Sequence, residues 1–182
     1  MKFPTVENSA FIMIDMQQKL LPAMYAPQAV LDRNILLLNA ASAMNADVLV
    51  TEQYPKGLGN TVPELSTWLD ESVSVIAKTS FSVFGSAEFC SKLLERKREV
   101  LIFSGIEAHV CVLQSVFDAL ERGYEVMVVA DAVCSRKAAD CECALQMMRA
   151  RGVTVLNSES VLFMMLRDAA NPAFKAVSKL VK

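Results

Sequence analysis

Three residues of different chemistry stand near the ends of apolar runs that have the composition of buried strands. Asp15 follows the run FIMI, Lys78 follows VSVIA, and Cys111 comes shortly after VLIF. A thiol attacks a carbonyl carbon once a neighbouring base removes its proton, and a carboxylate can act as that base. An ammonium group beside them stabilises both negative charges. Asp15, Lys78 and Cys111 are therefore candidates for one nucleophilic site.

The predicted surroundings of Cys111 favour its ionised form. The residue falls in the first turn of a predicted helix, where free N–H groups and the helix dipole stabilise a thiolate. Lys78 acts in the same direction and Asp15 in the opposite one. We expect the first two effects to prevail and the pKa of Cys111 to lie below the ~8.5 of a free cysteine.

Each candidate also has a purely structural interpretation. Cysteine is commonly a small core residue, and Cys111 stands between Val110 and Val112. Asp15 has the position of a cap or turn residue, and Lys78 could form an ordinary ion pair. The presence of all three at strand ends favours the catalytic interpretation.

The remaining metal-binding and nucleophilic residue types give weaker signals. His109 is two residues from Cys111, and residues at that spacing on a helix do not face each other. We therefore expect His109 to be a surface residue near a helix start. The other cysteines are expected to be structural or incidental, because they have no suitably spaced histidine partners for zinc: Cys90, Cys134, Cys141 and Cys143. We predict neither a metal site nor a cofactor.

The elements that position the three candidates alternate regularly along the chain. Apolar runs without polar alternation are typical of parallel strands buried on both faces, and we predict strands at 10–14, 47–50, 73–77, 100–103, 126–130 and 153–156. Segments with helical periodicity predict helices at 29–45, 87–98, 109–122, 138–151, 159–168 and 172–182.

This alternation predicts a doubly wound, three-layer α/β/α domain over residues 1–182, with a six-stranded parallel sheet in the order 3-2-1-4-5-6. In such a sheet, ligands bind beyond the carboxyl ends of the strands, near the point where strand order reverses. Asp15 and the loop to Cys111 would face each other there, with Lys78 on the same rim. The glycine-rich signatures of dinucleotide-binding and P-loop proteins do not occur.

Composition limits the choice of partners and compartment. The net charge of −2 gives no general attraction to nucleic acid or to an anionic membrane, and no apolar run has the ~18 residues of a membrane span. Five irregularly spaced cysteines favour a reducing cytoplasm. The 53% apolar content and the Met- and Phe-rich segment 161–166 favour a homo-oligomer.

Long stretches of the chain resemble the isochorismatase-like cysteine hydrolase superfamily. The stretches are FIMIDMQQKLLP, VTEQYPKGLGNTVPEL, AKTSFSVF and FSGIEAHVCVLQSVFDALERGYEVMVVADAVCSR. The loop TEQYPKGLG and the ending ESVLFMMLRDAANPAFKAVSKLVK are similar to the isochorismatase domain-containing branch. The resemblance covers nearly the whole chain and implies a catalytic triad of Asp15, Lys78 and Cys111.

The resemblance also implies a nonprolyl cis peptide before the nucleophile and an oxyanion hole beside it. By position we expect the cis bond between Glu107 and Ala108, and the oxyanion donors at the N–H groups of Ala108 and Cys111. Where the nicotinamidase branch carries metal ligands after the second strand, this chain reads TEQY, beginning at Thr51. A metal-dependent nicotinamidase is therefore not expected.

The expected function is hydrolysis of a small molecule, most simply an amide, through a thioester on Cys111. Substrate contacts are expected from polar and aromatic residues near the strand ends: Gln17, Gln53, Tyr54, Phe81 and Phe84. Two alternatives stay open: a non-catalytic binding protein that keeps the hydrolase fold, and an isochorismate-type enol-ether hydrolase. A nuclease is a third alternative, and it lacks a basic patch in the sequence.

Overall fold

The computed structural model describes residues 2–69 and 73–182 and contains a six-stranded parallel sheet. The strand order is β3-β2-β1-β4-β5-β6, which confirms the predicted order. The strands are β1 (Ser9–Ile14), β2 (Asp47–Gln53), β3 (Ser74–Lys78), β4 (Val100–Ile106), β5 (Glu125–Cys134) and β6 (Thr154–Leu156). β1 lies between β2 and β4, so the carboxyl ends of the three central strands meet at one edge.

Helices cover both faces of the sheet. They are α1 (Pro27–Met44), α2 (Pro55–Leu58), α3 (Pro63–Ser66), α4 (Ala87–Arg96), α5 (Leu113–Glu121), α6 (Ala138–Ala150), α7 (Ser158–Leu166) and α8 (Phe174–Leu180). On one face, Phe11 and Met13 of β1 belong to a core that includes residues of α1, α7 and α8. On the other, Ile12 and Ile14 belong to a core with α4, α5 and α6. Successive residues of a strand point to opposite faces, which explains this division.

The observed strands extend beyond their predicted ends. β2 continues through Thr51, Glu52 and Gln53, and β5 continues to Cys134. The sequence prediction ended both strands early because polar residues and a small apolar segment follow the apolar runs. The extension matters for function, since it brings Thr51 and Gln53 to the edge where ligands bind in this fold.

β3 differs from the prediction of strands buried on both faces. Ile76 and Lys78 are buried, whereas Val75 and Ala77 are exposed. β3 lies at the edge of the sheet, and the alternation shows that only one of its faces is covered.

The Met- and Phe-rich segment that motivated the oligomer prediction packs within its own chain. Val161, Leu162, Met165 and Leu166 of α7 are all buried against the core that contains α1. Phe163 of the same segment is exposed and Met164 is half-buried, so these two side chains are the ones in the segment that could contribute to a subunit interface. In the described part of the chain, no helix is long and apolar enough to span a membrane.

Candidate active site

A buried ion pair lies at the carboxyl ends of β1 and β3. Asp15 follows β1 directly with a φ of 52°, and its N–H donates to the Thr51 carbonyl oxygen across a distance of 3.1 Å. Nζ of Lys78 donates to Oδ2 of Asp15 at 2.7 Å, and neither side chain has any exposed surface. An ion pair removed from water in this way is stable only if the two charges contact each other and form additional hydrogen bonds.

Lys78 is surrounded by acceptors. Besides Asp15, its Nζ lies 2.7 Å from Oε1 of Gln53, 3.2 Å from the Ser80 carbonyl oxygen and 3.1 Å from that of Phe81. An ammonium group can donate three hydrogen bonds and cannot accept one. With four acceptors around it, the Lys78 ammonium has no donor left for a substrate. Its contribution is to fix Asp15 and to place positive charge beside it.

The second oxygen of the Asp15 carboxylate is also held. Oγ1 of Thr51 donates to Oδ1 of Asp15 at 2.7 Å, and Thr51 is completely buried. One donor from β2 and one from β3 thus contact the two carboxylate oxygens. This arrangement fixes the plane of the carboxylate, because rotation of the group would break both hydrogen bonds.

Cys111 is buried close to the charges of Asp15 and Lys78. Its pKa is shifted in the direction opposite to the one expected from the sequence. Burial of the thiol, followed by the negative charge of Asp15, raises the pKa of Cys111 to about 12, although Lys78 acts to lower it. The expected low pKa was wrong because the sequence does not reveal the depth of burial, which disfavours a thiolate. The resting residue carries a neutral thiol, so attack on a substrate needs a base.

The turn that carries Cys111 is a π-helical turn, Ala108–Val112, which precedes α5. The N–H groups of Val110 and Val112 both donate to the Glu107 carbonyl oxygen. The sequence prediction of a regular helix over 109–122 is therefore wrong at its start. The two amides expected to form an oxyanion hole, those of Ala108 and Cys111, lie within this turn.

The nonprolyl cis peptide occurs one residue earlier than expected. It joins Ile106 to Glu107 rather than Glu107 to Ala108. Ile106 is the last residue of β4 and still pairs with Cys134 of β5. The bond therefore lies at the junction between the strand and the turn, and positional counting from the nucleophile missed this junction by one residue.

Ser115 connects the nucleophile turn to the segment that follows Lys78. Its Oγ donates to the Cys111 carbonyl oxygen at 2.6 Å and accepts from the Val83 N–H at 3.0 Å. Nearby, Oγ of Ser82 donates to Asp118 of α5 at 2.6 Å. These bonds couple the positions of the β3 segment and the nucleophile turn.

Of the predicted substrate contacts, the two glutamines are used within the protein. Gln17 is completely buried, its Oε1 accepts from the Gln53 N–H at 2.7 Å, and its Nε2 donates to the carbonyl oxygens of Gln53 and Gly59. Gln53 contacts Lys78 and also donates to the Thr79 carbonyl oxygen at 2.7 Å. Both residues hold the loop and the lysine in place, and their contact with substrate stays a prediction.

The predicted aromatic contacts divide between surface and core. Tyr54 and Phe81 are exposed near Lys78. Tyr54 lines a cleft of about 450 Å³ that also includes Lys56 and Ser86. Phe84, in contrast, is buried and packs edge-on against Phe89. The segment after β3 turns its ring into the core, and its contact with substrate stays a prediction.

His109 and the other cysteines do not assemble a metal centre. Nδ1 of His109 lies 2.9 Å from Oγ of Ser135, so the ring is half-buried against the segment after β5 rather than free at the surface. Burial raises the pKa of Cys141 to about 11. Among residues 2–69 and 73–182, no group of three or more His, Cys, Asp or Glu residues is arranged to hold a metal ion.

Sequence reasoning missed Thr51 and Ser115 as residues that organise the site. Thr51 has the same signal that pointed to Asp15, a polar residue at the carboxyl end of a central strand, but the predicted strand ended before it. Ser115 has no comparable signal, because its two partners become neighbours only when α5 packs beside the segment after β3.

The doubly wound sheet with the strand order β3-β2-β1-β4-β5-β6 is the fold of isochorismatase-like structures. The chain belongs to the isochorismatase family, since the family model described as "Isochorismatase domain" matches residues 9–160. An isochorismatase domain-containing protein 2 from Danio rerio is 38% identical over 177 residues, which cover 97% of this chain and 88% of that protein. The resemblance found in the sequence is thereby confirmed.

Two further comparisons agree with this assignment. An isochorismatase domain-containing protein 1 from Salmo salar is 39% identical over 176 residues, and the chain spans 61% of that longer protein. The solved structure of the MAR1 ribonuclease from Caenorhabditis elegans has a TM-score of 0.94 and 37% identity, covering 99% of this chain and 92% of that one.

Proposed function

We propose that this protein is a cysteine hydrolase that cleaves a small amide through a thioester on Cys111. The observation that carries the proposal is the buried Asp15–Lys78 pair, 2.7 Å between Oδ2 and Nζ, whose charges both act on the neutral Cys111 thiol. A neutral thiol beside an ionised carboxylate has the base that nucleophilic attack requires.

The first half-reaction forms the thioester. Sγ of Cys111 bonds to the carbonyl carbon while its proton passes to the carboxylate of Asp15. The amide oxygen then carries the negative charge, which the N–H groups of Ala108 and Cys111 stabilise. When the tetrahedral intermediate collapses, the carbon–nitrogen bond breaks, and Asp15 gives its proton to the leaving amine.

The second half-reaction restores the enzyme. A water molecule attacks the thioester carbonyl while Asp15 accepts one of its protons. The carbon–sulfur bond then breaks, the carboxylic acid leaves, and the proton on Asp15 returns to Sγ. Lys78 transfers no proton in this scheme; it keeps its hydrogen bonds to Asp15 and Gln53 and holds the carboxylate in place.

The alternatives make different demands on the site. Hydrolysis of an enol ether needs a proton donor but no bond to sulfur, so Cys111 would be dispensable. A binding protein would show no turnover. The MAR1 relative is a ribonuclease, whereas the net charge of −2 gives this chain no general attraction to RNA.

A turnover screen separates these possibilities. The purified chain is assayed against small amides, isochorismate and a labelled RNA, with Cys111→Ala as the test variant and Cys143→Ala as the matched control at an exposed cysteine. We expect amide turnover that Cys143→Ala keeps and Cys111→Ala loses. Activity on isochorismate or RNA that survives in Cys111→Ala would contradict the proposal, as would binding without turnover for every amide.

The expected partners are a small-molecule substrate and further copies of the same chain. Homo-oligomerisation and a cytoplasmic location stay predictions from composition. Light scattering at micromolar concentration tests the first of them, and a monomeric mass would contradict it.

A further inference from the structure

We propose that Thr51 is a positioning residue for the general base: its hydroxyl holds the Asp15 carboxylate ionised and oriented toward the nucleophile turn. The inference rests on the proposed role of Asp15 in proton transfer. Its direct basis is the 2.7 Å hydrogen bond from Oγ1 of Thr51 to Oδ1 of Asp15, formed between two fully buried side chains.

The two ends of the Asp15 carboxylate have different donors. Lys78 contacts Oδ2 with a full positive charge, and Thr51 contacts Oδ1 with a neutral hydroxyl. A hydrogen bond that a charged carboxylate accepts favours the charged form. Without the hydroxyl, Oδ1 would be a buried acceptor with its side-chain partner removed, and protonation would become easier.

Thr51 is held more firmly than a typical surface threonine. It pairs with Ile14 of β1 on one side and Ile76 of β3 on the other, and its carbonyl oxygen accepts from the Asp15 N–H at 3.1 Å. The backbone and the side chain of Thr51 therefore contact the same residue. The hydroxyl has a fixed direction, which a flexible donor would lack.

The titratable groups that act on the base come from two other elements. Lys78 reaches it from β3, and Cys111 lies in range from the turn after β4. Thr51 does not titrate, so replacing it changes the hydrogen bonding of Asp15 without removing a charge. This property separates its effect from that of Lys78.

The test uses Thr51→Val, which keeps the shape and strand preference of the residue but removes the hydroxyl, and Thr51→Ser, which keeps the hydroxyl. Thr61→Val is the matched control, because Oγ1 of Thr61 donates to Glu52 at 2.9 Å instead of to Asp15. The carboxyl of Asp15 is titrated by NMR in protein carrying ¹³C-labelled aspartate, with Asp15→Asn to assign the signal. Circular dichroism defines the pH range in which each variant stays folded.

We expect the Asp15 signal of Thr51→Val to titrate about one to two pH units above that of the unmodified chain, the shift expected for losing one hydrogen bond to a charged group. Thr51→Ser should restore the original midpoint, and Thr61→Val should leave it unchanged. Equal midpoints in Thr51→Val and the unmodified chain, or a carboxyl ionised in both across the whole folded range, would overturn the proposal. Failure of Thr51→Val to fold while Thr51→Ser folds with a shifted midpoint would also overturn it.

Turnover supplies a second, separable result. On any amide that the screen identifies, Thr51→Val should lower kcat by at least ~10-fold with little change in KM, and the acid limb of its pH profile should move in the same direction as the NMR midpoint. If no amide is turned over, the proposed function fails while the NMR titration still decides the role of Thr51. If amides are turned over and the midpoint does not move, only the role of Thr51 fails.

Discussion

Nζ of Lys78 lies 2.7 Å from Oδ2 of Asp15, in a position where neither side chain has exposed surface. From the sequence, both residues were expected at the rim of a crevice. The burial changes that expectation. A cation and an anion in the interior each lose hydration, and loss of one partner leaves an uncompensated charge.

Replacement of Lys78 should therefore destabilise the fold as well as stop turnover. Lys78→Met leaves the Asp15 carboxylate buried without its cation, and we expect the free energy of unfolding to decrease by about 3–5 kcal/mol. Lys56→Met is the matched control, because Lys56 is exposed. Urea denaturation measures both. A loss below ~1 kcal/mol in Lys78→Met would show that the pair is far better hydrated than its burial indicates.

Replacement of Asp15 should speed alkylation of Cys111 while turnover is lost. The negative charge of Asp15 raises the pKa of the Cys111 thiol, so Asp15→Asn lowers that pKa and increases the thiolate fraction at pH 8. We expect iodoacetamide to label Cys111 about tenfold faster for each unit by which the pKa falls, and turnover to decrease by at least ~100-fold.

Peptide mapping by mass spectrometry gives the labelling rate of each cysteine. The exposed Cys143 serves as an internal reference that reacts early in every sample, and Asp32→Asn on the exposed side of α1 serves as the control variant. Slower labelling of Cys111 in Asp15→Asn would contradict the electrostatic account of the site.

The raised pKa of Cys111 also predicts a loss of stability at alkaline pH. The thiol ionises near pH 8.5 in the unfolded chain but near pH 12 in the folded protein. Between these values the folded state holds a proton that the unfolded state has released, so the free energy of unfolding falls as pH rises, by up to about 1.4 kcal/mol per pH unit for this group.

Denaturation at pH 8, 9 and 10 tests this slope. Cys111→Ala should make the slope less steep, whatever the variant does to stability at pH 8, although Cys141, whose pKa is also raised, still contributes. Cys143→Ala should keep the original slope. An unchanged slope in Cys111→Ala would mean that the thiol is not the group responsible.

Gly105 should tolerate no side chain, because it pairs with Ile14 of β1 at a position where a side chain would meet the backbone of that strand. Its φ is 101°, and a Cβ atom there would overlap the carbonyl oxygen of Ile14. Gly123 has a φ of 81° but no atom within 4 Å of an added Cβ. Both substitutions carry the cost of positive φ, and only Gly105→Ala adds a clash with backbone.

Thermal unfolding should therefore show a much larger decrease in Tm for Gly105→Ala than for Gly123→Ala, or no folded protein in the first case. Similar decreases in the two variants would indicate that β1 and β4 can separate without cost.

Much of this architecture could be read from the sequence because buried parallel strands leave a simple pattern. Apolar runs gave the six strands and their alternation with helices, and right-handed crossovers then left few possible strand orders. The same logic brought Asp15 and Lys78 to one edge. The prediction failed where tertiary contacts determine the local structure. The path of Phe84 into the core, the π-helical turn at Cys111 and the exposed face of β3 each depend on which elements pack beside them.

The electrostatics of the site could be predicted from the sequence less well than the types of residue that form it. The residue types near Cys111 were known, but their distances and burial were not, and the sign of the pKa shift depends on both. Lys78 and Asp15 are close enough to act on the thiol in opposite directions, and the loss of water decides the result.

The most direct test of the account is the mass of a trapped intermediate. An amide identified by the screen is mixed with the enzyme, quenched in acid on the millisecond-to-second timescale and analysed as intact protein and as peptides. We predict an increase equal to the mass of the acyl group, located on the peptide that contains Cys111, formed by the unmodified chain and by Cys143→Ala but not by Cys111→Ala. Turnover that continues in Cys111→Ala, or an acyl group located on any other residue, would contradict the central claim.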